Sequence, residues 1–247
     1  MLPPPSPSPP PLPLTHSHIN TFPHPHLVIF DFDGTLGDTR RNIVITMQQS
    51  MQQMGLPVAD EATCGSIIGL PLKDCYRHIY PHLDDDQAEA CAEAYRQLFF
   101  ANAKDLVPNP FPQVVDTLKT LSEAGFLLTI ASSRTSASLH RLVDDMGLRP
   151  YISFIVGSDE VAHHKPDPEP ALVTLRHFNG GRQGQPIAAD EALVVGDMPV
   201  DILMGKAAGM HTCAVTYGNA PLADLQAAGA DHIIDHFADL LPLLGVE

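Results

Sequence analysis

Two aspartates stand two residues apart at the end of an apolar run, in the stretch VIFDFDGTLGDT over residues 28–39. Asp31 and Asp33 carry like charges immediately before Gly34, a pair that an ordinary strand end does not need. Carboxylates act as nucleophiles, as general acids or bases, and as ligands for hard cations. The pair therefore predicts a catalytic or metal site at the end of a buried strand.

Three further groups of polar residues follow apolar runs later in the chain. They are Ser132 with Ser133 after FLLTIA, Lys165 within HHKPDPEP, and Asp197 with Asp201 after ALVV and a glycine. In open parallel α/β sheets, the carboxyl ends of the strands meet at the edge where ligands bind. Each group taken singly also suits an ordinary turn, helix cap or solvated charge. Their common position after apolar runs favours a single shared site.

This combination is suited to phosphoryl transfer through an aspartate nucleophile. A carboxylate that attacks a dianionic phosphoryl group needs its repulsion screened. Mg²⁺ typically uses one or two protein carboxylates, and Asp31 and Asp197 can supply them. Ser132 can hold a phosphoryl oxygen, and Lys165 can neutralise charge that builds up in the transition state.

At these residues the chain resembles the haloacid dehalogenase superfamily, most of all its phosphoglycolate phosphatase-like members with a helical cap after the first motif. The resemblance covers about residues 27–245, and the motifs in order are DFDGTLGDT, TIASSR, HKPDPEP and GDMPVD. It implies that Asp31 is the nucleophile and Asp33 the general acid and base. It also implies that Ser132 and Lys165, with the adjacent Ser133, bind the phosphate.

The same resemblance implies Mg²⁺ as the cofactor. Its ligands would be the side chains of Asp31 and Asp197 and the backbone carbonyl of Asp33, with Asp201 supporting the metal shell. The family often has Thr-Asn or Thr-Ser where this chain has Ser132-Ser133. Serine keeps the hydroxyl group, so the expected phosphate contact is preserved.

The elements that must position these residues alternate between apolar runs and helical patterns. This alternation is typical of an α/β fold with a Rossmann-like parallel sheet between helices. The predicted strands are 27–32, 126–131, 154–156, 192–195, 211–215 and 232–234. The predicted helices of this core are 113–124, 136–146, 168–178, 201–208, 221–228 and 237–244.

Residues 37–105 interrupt the alternation and contain no convincing strand. One helix is indicated by Ile43, Met47, Met51 and Met54, ending at Gly55, and a second by Ala88, Cys91, Tyr95, Leu98 and Phe99. We therefore predict a core domain of residues 27–36 and 106–247, and an all-helical cap domain of residues 37–105. The cap would act as a lid over the carboxyl edge of the sheet.

Composition excludes several function classes. The 247 residues are 44% apolar and carry a net charge of −15, which opposes binding to nucleic acid or to an anionic membrane. No run reaches the roughly 20 apolar residues of a membrane span. Four cysteines without a CxxC pair are expected to be buried thiols in a reducing, cytoplasmic compartment. Residues 1–26, with ten prolines and no charged residue other than histidine, are predicted to be a disordered tail.

The sequence therefore predicts a Mg²⁺-dependent phosphomonoester hydrolase for a small phosphorylated metabolite, with phosphoglycolate as the leading guess, working as a monomer or homodimer. A sugar phosphomutase, an inorganic pyrophosphatase and a non-catalytic binding protein are the alternatives. A second charge on the substrate has several candidate partners, although a solvated surface charge is the simpler explanation for each. These candidates are Arg40, Arg41, Lys73, Arg77, His78 and Arg134.

Overall fold

A computed structural model of the chain describes residues 27–102, 106, 108–180 and 186–246, so the predicted tail of residues 1–26 lies outside the described residues. The strands within this part follow in chain order. They are β1 (Leu27–Phe30), β2 (Gly37–Asp38), β3 (Asn109–Pro110), β4 (Leu127–Ala131), β5 (Phe154–Val156), β6 (Ala192–Gly196), β7 (His211–Val215) and β8 (His232–Ile234).

Among the described residues, six strands form one parallel sheet in the order β5-β4-β1-β6-β7-β8. Strand β1 is central, and all its residues are buried. Val28 and Phe30 pack on one face of the sheet, while Leu27 and Ile29 pack on the other. A strand covered on both faces is a continuous apolar run rather than an alternating one. This double burial explains why LVIF could be recognised as a strand.

Between β2 and β3 the chain forms the helices of the predicted cap. They are α1 (Arg40–Gln53), α2 (Glu61–Ser66), α3 (Leu72–Ile79) and α4 (Asp85–Asn102). Ile43, Met47 and Met51 are buried in α1 as the spacing predicted, but Met54 follows the helix and is 38% exposed. The prediction that residues 37–105 hold no strand was wrong at β2. Two residues are too short a strand to produce a periodic pattern.

The helices of the core follow the predicted ranges closely. They are α5 (Val114–Glu123), α6 (Ser136–Asp145), α7 (Glu169–Asn179), α8 (Pro199–Ala207), α9 (Leu222–Ala227) and α10 (Leu240–Leu243). The predicted last helix, 237–244, begins instead as a 3₁₀ turn at Phe237–Asp239 and continues as α10. The predicted α/β fold with a Rossmann-like sheet and an inserted helical cap is confirmed.

The first strand ends at Phe30 rather than at residue 32. Asp31 N–H still donates to the Val195 carbonyl at 2.8 Å, but the Phe32 carbonyl then accepts from Leu36 and Gly37 and turns the chain. The turn places both aspartates at the carboxyl edge of the sheet. Of the described helices, none is long and apolar enough to cross a membrane. The four cysteines are free and buried, as expected.

Candidate active site

Asp31 lies at the carboxyl end of β1 and is 6% exposed. Lys165 Nζ donates to Asp31 Oδ1 at 2.6 Å. No other described residue donates a hydrogen bond to the Asp31 carboxylate. Burial raises the pKa of Asp31 well above its usual value, against the opposing charge of Lys165. Asp31 also lines a cavity of about 470 Å³. Its second oxygen, Oδ2, is therefore the one available to a ligand.

Asp197 follows β6 and meets Asp31 at the same sheet edge, as predicted. One carboxylate oxygen each of Asp31, Asp197 and Asp201 lie within 4.8 Å of one another. Burial, followed by the charge of Asp201, raises the pKa of Asp197 to about 7. Lys165 is the ammonium group that contacts this cluster, so three carboxylates face one positive charge.

This donor set fits a hard divalent cation. Three ionised carboxylates and one ammonium group leave two negative charges, and oxygen ligands are those that Mg²⁺ prefers. The pKa values of Asp31 and Asp197 are both raised mainly by burial, because desolvation favours the protonated form of a carboxylate. The residues that could hold the ion are thus Asp31, Asp197 and Asp201. Asp33 contributes no side-chain oxygen to this group.

Asp197 is held in place by donors on both oxygens. Asn219 donates to Oδ2 from its backbone N–H at 2.7 Å and from its side chain at 2.9 Å, while the Thr35 hydroxyl donates to Oδ1 at 3.0 Å. Sequence reasoning missed Asn219. The available signal was its place just beyond β7, the strand next to β6 in the sheet.

Two glycines allow the backbone to approach Asp197. A Cβ on Gly218 would lie 2.2 Å from Asp197 Cβ, and a Cβ on Gly34 would lie 2.2 Å from Asp197 Oδ2. Gly34 also has φ +89°, a conformation that a residue with a side chain rarely adopts. Gly34 of DFDGT is thus required both because a side chain there would collide with Asp197 and because the turn has a positive φ.

Lys165 and Asp201 form a buried ion pair next to the nucleophile candidate. Lys165 Nζ donates to Asp201 Oδ1 at 2.7 Å, and Asp201 Oδ2 accepts from the Met198 N–H at the start of α8. Although burial opposes its charge, the carboxylates of Asp201 and Asp31 raise the pKa of Lys165. Asp201 therefore caps a helix and also fixes the lysine.

Asp33 lies apart from the carboxylate cluster and has partners of its own. Arg134 Nε lies 2.9 Å from Oδ1 and 2.7 Å from Oδ2, and the Thr39 hydroxyl donates to Oδ1 at 2.5 Å. Thr39 is the N-cap residue of α1, but its hydroxyl does not cap the helix. Thus a helix cap, normally worth about 1 kcal/mol, is given up for a contact with Asp33.

The two serines after β4 point to different partners. Ser132 is buried, lines the cavity, and its hydroxyl accepts from the Arg134 N–H at 3.3 Å. The Ser133 hydroxyl instead donates to the Gly69 carbonyl of the cap at 2.7 Å. Ser132 is thus placed for a phosphate contact, whereas the predicted phosphate contact of Ser133 would compete with a bond to the cap.

The candidate cations divide into three groups. Arg41 and His78 are exposed. Lys73 lies 3.6 Å from Glu89, and Arg77 pairs with Asp74 and Asp85. Arg40 donates to Asn219 Oδ1 at 3.2 Å and so supports the Asp197 network, and Arg134 pairs with Asp33. Lys73, Arg77 and Arg134 line the cavity, whereas Arg40 is linked to the site through Asn219.

A cavity of about 470 Å³ lies between the sheet edge and the cap helices. Asp31, Asp33 and Ser132 line it from the core, and Met47 and Phe99 line it from the cap. This volume is that of a small-molecule site, since ligand pockets span about 300–1,000 Å³. Of the predicted site residues of the core, Asp31, Asp33, Ser132 and Ser133 line this cavity.

Comparison with known proteins gives the family. The model of the haloacid dehalogenase-like hydrolases matches residues 28–215. A solved structure described as a hydrolase from Pseudomonas syringae superposes with a TM-score of 0.75 at 26% identity, covering 88% of this chain and 97% of that one. The chain belongs to the haloacid dehalogenase-like hydrolases, as its motifs indicated.

Curated relatives carry phosphatase names. A protein of Dickeya dadantii (strain 3937) named probable phosphatase IndB is 34% identical, covering 87% of this chain and 91% of that protein. The phosphoglycolate phosphatase of Yersinia pseudotuberculosis serotype I (strain IP32953) is 30% identical, covering 89% and 93%. The pyrophosphatase PpaX of Halalkalibacterium halodurans is 29% identical, covering 89% and 97%. The family and these relatives support the expected phosphatase enzyme.

Proposed function

We propose that the protein is a Mg²⁺-dependent phosphomonoester hydrolase of small phosphorylated metabolites, with phosphoglycolate as the first substrate to test. The observation that carries the proposal is the position of Asp31. Its Oδ1 is fixed by Lys165, it lines the cavity, and it is close to Asp197 and Asp201. A carboxylate so placed can attack a phosphoryl group from one oxygen while the other stays neutralised.

The proposed reaction runs in two steps. Asp31 Oδ2 attacks phosphorus, the bond to the ester oxygen breaks, and Asp33 gives that oxygen a proton. Asp33 then takes a proton from water, which attacks the phosphorus of the aspartyl phosphate and releases inorganic phosphate. Ser132 would hold a phosphoryl oxygen, and Lys165 would offset charge in the transition state. When bound, Mg²⁺ would supply the positive charge that lets two anions approach.

Phosphate release from a panel of phosphorylated metabolites, with Mg²⁺ and with EDTA, tests the proposal. The panel contains phosphoglycolate, a hexose 1-phosphate and inorganic pyrophosphate, because one relative is named a pyrophosphatase. We expect release from at least one monoester, its loss on chelation and its return with Mg²⁺. With the hexose 1-phosphate, formation of the 6-phosphate would instead indicate a mutase.

Asp31→Asn is the decisive variant, and it is the largest effect that we predict. The amide has nearly the same shape but is a poor nucleophile, so turnover should fall to the background of the assay. Circular dichroism and a melting curve check that the variant is folded. Metal-dependent phosphate release by the folded variant would contradict the covalent mechanism.

A further inference from the structure

Arg134 has a donor that its surroundings do not use. Its side chain is 10% exposed; Nε is bound to Asp33, and Nη1 is 3.4 Å from the Ser138 hydroxyl. Nη2 is buried and has no hydrogen-bond partner among the residues that the structure describes. Tyr95 is near enough for its pKa to respond both to the charge of Arg134 and to hydrogen bonding with that side chain, but the geometry leaves Nη2 itself without a partner. Buried polar groups are normally paired, so this donor indicates a missing partner.

The unused donor belongs to the wall of the active-site cavity. Arg134 lines that cavity together with Asp31, Asp33 and Ser132. The Phe99 ring of α4 covers the guanidinium, with Cζ 4.7 Å from the ring centre. The aromatic contact and the Asp33 ion pair fix the guanidinium plane before any ligand arrives. Such a preorganised group binds a ligand with little loss of side-chain freedom.

Other cations of the cavity wall are already engaged. Arg96 Nη1 lies 2.8 Å from Glu89 and 3.3 Å from Glu93, and Lys73 also faces Glu89. These pairs are on the partly exposed surface of the cap, where solvent screens them. Arg134 is the one described arginine of the wall whose buried fork has an open donor.

We propose that Arg134 binds a carboxylate of the substrate, so that the preferred substrates are small phosphomonoesters that carry a carboxylate close to the ester oxygen. This inference rests on the proposed function. A carboxylate can bridge Nη1 and Nη2 in the planar geometry that guanidinium favours, replacing the long contact with Ser138. Asp33 pairs with Arg134 but must be protonated when it donates to the ester oxygen, and a substrate carboxylate would then balance the Arg134 charge. Asp33 contacts the same guanidinium, which keeps the carboxylate near the reacting ester.

The test compares two substrates that differ in this one group, phosphoglycolate and ethyl phosphate. The measured quantity is the ratio of their kcat/KM values in wild type and in Arg134→Gln. We expect the ratio to fall about 10- to 100-fold, which is the size of a lost charge-assisted hydrogen bond. Loss of Asp33 positioning slows both substrates and cancels in the ratio. A ratio that stays unchanged while both rates fall would overturn the proposal.

Arg141→Gln is the matched control. Arg141 also belongs to the core and also lies below a ring of α4, with Cζ 5.8 Å from the centre of Phe100, but it is 37% exposed and pairs with Asp145. Its loss should leave the ratio unchanged. An equal fall in both variants would indicate a general effect of the contacts between arginine and cap, and would count against a carboxylate site. Arg134→Lys, which keeps the charge but not the fork, gives the same readout if the glutamine variant does not fold.

A binding measurement separates this inference from the proposed function. Calorimetry of the two esters on Asp31→Asn, with and without Arg134→Gln, requires no turnover. Tighter binding of phosphoglycolate that depends on Arg134 supports the carboxylate site even if wild type hydrolyses neither ester. Equal affinities for the two esters in the Asp31→Asn protein would reject the site, whatever the activity.

Discussion

The two halves of the active site are built differently. The metal half consists of Asp31, Asp197 and Asp201 with Lys165, and all four belong to the core: Asp31 and Asp197 directly follow strands, Asp201 lies in the first turn of α8, and Lys165 lies in the loop before α7. The leaving-group half consists of Asp33, Arg134 and Thr39, and it lies where core and cap meet. Among the described residues, the metal half has no buried side-chain nitrogen or oxygen without a hydrogen-bond partner, whereas Arg134 Nη2 in the other half has no such partner. We infer that the metal half and Asp33 serve the shared chemistry, whereas Arg134 serves the choice of substrate.

This difference also explains what the sequence could predict. The metal half was predictable because parallel strands bring their carboxyl ends to one edge, so position after an apolar run determines proximity. The sheet itself followed from doubly buried strands such as β1. In the leaving-group half, Arg134 was named only as one of several possible substrate contacts. Its pairing with Asp33 depends on side-chain directions that no periodicity encodes.

The sequence also failed to predict contacts made by short or irregular elements. The β2–β3 pair, Gly37–Asp38 with Asn109–Pro110, joins residues about 70 positions apart through two residues on each side. Asn219 lies in a loop beyond β7, and only the strand order places that loop beside Asp197. Such contacts depend on the complete fold and are invisible to a local pattern.

Asp33→Asn removes an ionisable side chain from the leaving-group half and leaves the side chains of the metal half unchanged. Proton donation by a positioned acid typically contributes about 10²- to 10⁴-fold in rate. We expect the rate of the single-turnover burst with an alkyl phosphate to fall by this amount. The burst rate with a nitrophenyl phosphate should fall much less, because nitrophenolate leaves almost without a proton. Steady-state rates should fall for both, since the variant also lacks the base for the second step. Equal losses in the two bursts would contradict the acid role.

Gly218→Ala and Gly65→Ala compare a rigid neighbour with a flexible one by adding one methyl group. At Gly218 the new Cβ would lie 2.2 Å from Asp197 Cβ, inside a network that cannot yield. Overpacking of this kind costs about 1–3 kcal/mol. We expect a lower melting temperature and a weaker rise of that temperature with added Mg²⁺.

At Gly65 the new Cβ would meet the end of the Arg40 side chain, which is flexible and can move. Gly65 also lies in α2, where alanine gains about 0.5–1 kcal/mol over glycine. The expected change in melting temperature is therefore close to zero, and the response to Mg²⁺ should weaken less than in Gly218→Ala, because Arg40 acts on Asp197 through Asn219. Similar losses of stability in both variants would show that the cap side is as tightly packed as the metal side.

Ser133→Ala should give the smallest effect, and it tests a contact between the core and the cap. The Ser133 hydroxyl donates to the Gly69 carbonyl of the cap, whereas the Ser132 hydroxyl lies at the cavity. A neutral hydrogen bond contributes about 0.5–1.5 kcal/mol, so we expect a small loss of stability in Ser133→Ala and little change in KM. Ser132→Ala should instead raise KM for every phosphate ester, since it removes a group common to all substrates. If Ser133→Ala raised KM as much as Ser132→Ala, Ser133 would be a phosphate ligand that leaves Gly69 when substrate binds, and the division between the two serines would be wrong.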